Sequence, residues 1–87
     1  MPYAISRARV TDRALWERVW EESAPHRTGG EIRSIQVFRN PVDPTEIVLL
    51  WEVDDLAVLR ERFQSEPALQ AARECGATER VMYFPDA

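Results

Sequence analysis

Glu46-Ile47-Val48-Leu49-Leu50-Trp51-Glu52-Val53 reads as a strand that is apolar on both faces, in a chain of only 87 residues. Alternate side chains of a strand point to opposite faces, so Ile47, Leu49, Trp51 and Val53 line one side and Val48 and Leu50 the other. Two dry faces need two covers. The remaining chain supplies helices enough to roof one of them, and a second copy of the protein is the expected cover for the other.

Outward from this strand the pattern is strand, helix, strand, strand, helix, strand. Tyr3 to Val10 sets Tyr, Ile, Arg, Arg against Ala, Ser, Ala, Val and is read as the first strand. Thr11 is a candidate N-cap with Asp12 in the first turn of a helix whose apolar stripe is Leu15, Trp16, Val19 and Trp20. Pro25 ends that helix, and Thr28-Gly29-Gly30 turns the chain back. Ile32 to Arg39 makes the second strand, which Pro41 and Pro44 stop, because proline has no amide to give a ladder.

Asp54 and Asp55 cap a helix carrying Leu56, Leu59 and Phe63. Ser65-Glu66-Pro67 interrupts it, a second helical piece follows, and Gly76 closes that piece in the left-handed conformation. Arg80 to Phe84 is the last strand. Two β-α-β units joined by a hairpin predict one α+β domain over residues 1–87: a ferredoxin-like βαββαβ protomer with a four-stranded antiparallel sheet, both helices on one face and the third strand central.

Composition narrows the function classes. The net charge is −4 and all eleven basic residues are arginines scattered along the chain, which argues against nucleic acid as a partner, since phosphate binding needs clustered positive charge. No segment approaches the roughly 20 apolar residues of a membrane span, and the N-terminus has no signal-peptide core, so no membrane association and a cytoplasmic location are expected. One cysteine, Cys75, forms neither an internal disulfide nor a zinc knuckle, and no second His or carboxylate stands at metal-ligand spacing with His26, so no metal is expected.

The segment Ile35-Gln-Val-Phe-Arg-Asn-Pro-Val-Asp-Pro-Thr-Glu-Ile-Val-Leu-Leu-Trp-Glu-Val-Asp-Asp-Leu56, followed by Phe63-Gln-Ser-Glu-Pro-Ala-Leu69, resembles the antibiotic biosynthesis monooxygenase superfamily. The resemblance implies a homodimeric α+β barrel in which the sheets of two protomers face each other, with a small pocket in each protomer between sheet and helices. It also implies cofactor-independent oxygenase chemistry on a small aromatic metabolite, with polyketide-cyclase-like chemistry or non-catalytic small-molecule binding as alternatives on the same fold. Two residues common among its oxygenase and haem-degrading members are replaced here: the tryptophan position at the end of the third strand is Val53, and the helical histidine position falls near Arg62. The second replacement removes the haem ligand and with it haem degradation.

The candidate site residues follow from side-chain chemistry. Trp16 and Trp20, four apart on one helix face, and Trp51 on the central strand are candidates to wall an aromatic pocket, although aromatics at helical spacing also serve as plain core. Trp20, nearer the loop, is expected to be the more exposed of the helical pair. His26 is the one side chain that titrates near neutrality unperturbed, hence the candidate general base, with a solvated loop histidine as the alternative. Arg39 on the second strand is a candidate partner for a phenolate or carboxylate, and Tyr83 on the last strand for a phenolic contact. Salt bridges and rim packing are the simpler uses of both.

Overall fold

The computed structural model describes residues 2–26 and 31–85, His26 through its backbone alone. In order they form β1 (Tyr3–Arg9), α1 (Arg13–Glu22), one 3₁₀ turn (Ala24–His26), β2 (Ile32–Arg39), β3 (Glu46–Val53), α2 (Leu56–Phe63), α3 (Glu66–Glu74) and β4 (Thr78–Tyr83). The turn expected at Thr28-Gly29-Gly30 lies outside the described residues.

The four strands make one antiparallel sheet in the order β2-β3-β1-β4. The third strand is central, as expected, and the architecture is that of the ferredoxin-like fold. Register fixes the faces. Trp51 lies opposite Ala4 on β1 and Ile35 on β2, and Leu49 opposite Ser6 and Val37, so these residues share the face under the helices. There Ile47, Leu49, Trp51 and Val53 are all at most 8% exposed. Burial of side chains of this size contributes roughly 1.5–3 kcal/mol each relative to exposure. Trp51 therefore belongs to the helix side of the sheet and not to its open side.

On the open side Leu50 lies opposite Ile5 and Gln36, and Val48 opposite Arg7 and Phe38. None of the described helices covers it. Tyr3, Ile5, Phe38 and Tyr83 are exposed there.

The helix boundaries follow local chemistry. Asp12, not Thr11, is the N-cap of α1: its carboxylate accepts from the amides of Ala14 and Leu15, which a threonine one residue earlier does not reach. Thr11 instead packs against Gly76, where an added Cβ would come within 2.6 Å of the Thr11 hydroxyl oxygen. Gly76 sits at φ +66°, after α3, as its position predicts. Asp55 caps α2 in the same way as Asp12 caps α1. Pro67, in the first turn of α3, is tolerated there and separates the two helical pieces.

The last strand starts two residues earlier than expected, at Thr78, and carries an irregularity opposite β1 between Arg7 and Arg9. Glu79 lies within it at φ 54°, its carboxylate 2.9 Å from Arg9 Nε. Beyond the irregularity Met82 pairs with Ser6 on the helix side, while Val81 and Tyr83 pair with Arg7 and Ile5 on the open side.

Candidate functional site

Between the sheet and the helices lies a cavity of about 350 Å³. Its origin is a set of small side chains. Ser6 and Ala8 on β1 face Ala68, Ala71 and Ala72 on α3, and none of these reaches far enough to fill the layer between them. Larger groups close the remaining sides: Trp16, Val19 and Trp20 from α1, Leu49 and Trp51 from β3, Phe63 from α2 and Met82 from β4. The volume is at the lower end of the range for small-molecule sites.

The three tryptophans form a connected wall. Trp16 and Trp20 stack with centroids 5.4 Å apart and planes inclined by 16°, and Trp20 meets Trp51 edge to face at 6.2 Å and 80°. Both arrangements suit the negative face and positive edge of the aromatic ring. Trp16 is buried and Trp20 is partly exposed, as their places on the helix lead one to expect.

Polar groups in the cavity wall are few. The Trp51 indole nitrogen donates to Ser6 Oγ at 2.9 Å, a diagonal contact between neighbouring strands, and Ser6 is 6% exposed. Arg62 is ion-paired with Glu31. Arg80 stacks on Phe63, 4.2 Å from the ring centroid, and donates to the Phe63 carbonyl at 3.0 Å. No carboxylate of the described residues pairs with Arg80, and burial pushes its guanidinium below its usual pKa. It stays cationic, because a guanidinium does not lose its proton in a protein. Burial pushes the Cys75 thiol up, so Cys75 lines the cavity as a neutral thiol.

Of the residues singled out from the sequence, Trp16, Trp20 and Trp51 come together in this wall. Arg39 and Tyr83 are elsewhere. Arg39 borders a second, more open depression between α1 and β2, with Val37, Trp16 and Trp20, and lies 3.7 Å from Glu17. Tyr83 is on the open face of the sheet, 54% exposed. His26 ends the 3₁₀ turn three residues after Ser23, which lines the cavity, and its side chain lies outside the description.

Ser6 and Arg80 were not singled out. The available signal for Ser6 was the alternation of β1, which sets Ala4, Ser6 and Ala8 on one face: three small residues opposite a helix make a hollow. Among the described residues no group of three His, Cys, Asp or Glu side chains is placed to hold a metal ion, and no helix is long and apolar enough to cross a membrane.

Compared with protein-family models and with curated proteins, the sequence matches none. Solved structures do match. The fold is that of a candidate antibiotic biosynthesis monooxygenase from Deinococcus radiodurans (TM-score 0.74, 12% identity, 100% of this chain and 92% of that one). It is also that of SnoaB, a cofactor-independent oxygenase from Streptomyces nogalater (TM-score 0.71, 16% identity, 99% and 93%). A candidate antibiotic biosynthesis monooxygenase from Bordetella bronchiseptica superimposes at TM-score 0.76 with 12% identity, over 99% and 95% of the chains. At these identities the likeness is one of fold, and it agrees with the resemblance read from Ile35 to Leu69.

Proposed function

We propose that this protein is a small monooxygenase-like enzyme that takes a flat aromatic metabolite into the cavity between sheet and helices and oxidises it with dioxygen. The observation that carries the reading is the cavity itself: three indoles and a phenyl ring wall it, and the Arg80 cation stands in that wall without a carboxylate partner among the described residues. Aromatic walls accept a planar ligand, and a desolvated guanidinium favours an ionised phenol or enol over its neutral form. Such an anion is electron-rich, which lets the substrate be its own reductant. In an overall balance, a ring-bound CH₂ and O₂ give a carbonyl and one water, with both oxygen atoms and all four electrons accounted for and no further reductant required. The open sheet face, with Tyr3, Ile5, Phe38 and Tyr83 exposed, is covered in this proposal by a second copy of the chain, giving a homodimer.

One observation favours a second reading. No Asp, Glu or His among the described residues lines the cavity, so no general base stands there apart from whatever His26 supplies. A binding module needs none. A cyclase-like enzyme, in which Arg80 would hold an enolate while the chain closes on itself, lies between the two.

Oxygen consumption separates the three. With a panel of polycyclic phenols, the oxygenase takes up one O₂ for each substrate converted and stops under nitrogen. Conversion that continues unchanged without oxygen identifies a cyclase. Saturable quenching of tryptophan fluorescence with no conversion in either atmosphere identifies a binding module.

A further inference from the structure

Ser6 is the most deeply buried polar side chain on the cavity, and its hydrogen bonding is half used. Its oxygen accepts from the Trp51 indole nitrogen, and among the described residues nothing accepts from its own hydroxyl. A serine hydroxyl carries one donor hydrogen and two lone pairs, and the hydrogen rotates to suit its surroundings. With one lone pair engaged by Trp51, the hydrogen is left with the cavity to point into. A buried donor without an acceptor is costly, so a ligand that supplies an acceptor gains from meeting it.

The geometry points to Ser6 as the residue that orients and selects the ligand: its hydroxyl donates to a neutral acceptor oxygen, a carbonyl or a ring ether, on a planar molecule held between the tryptophans. Arg80 gives the second point of the match. Ser6 pairs with Met82, and Arg80, two residues back along β4, lines the same cavity. The ligand this pair favours therefore carries a neutral acceptor oxygen for Ser6 and an anionic group for Arg80.

The inference rests on the cavity being a ligand site, and its test separates the two. Coumarin and naphthalene share a bicyclic outline, but only coumarin carries a carbonyl. Dissociation constants for both are measured by tryptophan fluorescence quenching in wild type and Ser6→Ala. The expected result is a loss of roughly three- to tenfold for coumarin, the worth of one neutral hydrogen bond, with naphthalene changed less than about twofold. Equal changes for both probes, or none for either, overturn the role of Ser6 and leave the cavity standing. Failure of wild type to bind either probe overturns both. Should Ser6→Ala not fold, the infrared carbonyl stretch of coumarin bound to wild type decides: it should fall below its value in hexane and stay there in Arg80→Met and Arg62→Met. An unshifted stretch, or a shift that either arginine variant removes, rejects Ser6 as the donor.

Discussion

The Arg80 guanidinium lies over the ring of Phe63, 4.2 Å from its centroid, and donates at 3.0 Å to the carbonyl of the same residue, the last of α2. One side chain thus satisfies a helix-end acceptor, stacks on an aromatic wall and presents charge to the cavity. Replacing it with methionine keeps much of the apolar stem and removes the charge. For Arg80→Met, the affinity for 2-naphthoate should fall about tenfold or more, as expected of a charge-assisted hydrogen bond of roughly 1.5–3 kcal/mol, while naphthalene binding changes little. Equal losses for both probes would mean that Arg80 only shapes the wall.

Trp16 and Trp20 stack on each other yet differ in exposure. Trp16→Ala removes a buried indole and should cost about 3–5 kcal/mol in urea unfolding. Trp20→Ala should cost less stability and more ligand affinity, because Trp20 bridges the other two indoles and lines the cavity. Large and equal stability losses, with probe binding intact in the folded fraction, would make both indoles plain core.

Leu50 stands in the middle of the open sheet face, opposite Ile5 and Gln36. If a second copy covers that face, Leu50→Asp buries an unpaired carboxylate at the contact, a cost of several kcal/mol by rough estimate. Sedimentation equilibrium should then show a dimer for wild type and a monomer for the variant. A monomeric wild type at micromolar concentration refutes the homodimer.

How far this architecture could be read in advance differs from element to element. The strand from Glu46 to Val53 was fully legible, because alternation fixes both faces and the two prolines on one side and two aspartates on the other fix its ends. The start of α1 was misplaced by one residue, since Thr11 and Asp12 are both good caps and it is the Asp12 carboxylate that accepts from the Ala14 and Leu15 amides. The tryptophans of the cavity were found by size. Ser6 and Arg80 were not, because a cavity is made by what is too small to fill it, and that depends on which alanines of α3 the fold sets against β1. Arg39 and Tyr83 have suitable chemistry, but register puts one beside the depression between α1 and β2 and the other on the open face.

Asp43, at the β2–β3 hairpin, joins that hairpin to β1. The Thr45 hydroxyl, the Arg9 guanidinium and the Thr45 amide hold its carboxyl below the usual carboxylate range. A depressed folded pKa means the unfolded chain binds the proton more readily. The contribution to stability is therefore complete above the unfolded value of about 3.9 and is lost as pH falls through the lower folded one. Asp43→Asn should lower the urea midpoint at pH 7, with the gap to wild type closing as the pH is taken well below 4. A gap of the same size at acid pH would show that the hydrogen bonds to Thr45, and not the charge, are what matter.

Ala71 offers a test of the hollow itself. It sits half-buried on α3, facing the cavity, in a position where a longer side chain has empty space ahead of it. In a closed core, added methylenes force neighbours off their rotamers and cost about 1–3 kcal/mol. In an open one they gain contacts, roughly 0.8 kcal/mol for each methylene buried, and leucine is also a good helix former. Ala71→Leu should therefore raise the unfolding midpoint or leave it unchanged while abolishing quenching by both coumarin and naphthalene. A marked loss of stability with probe binding intact would place the probes elsewhere and close the cavity as a site.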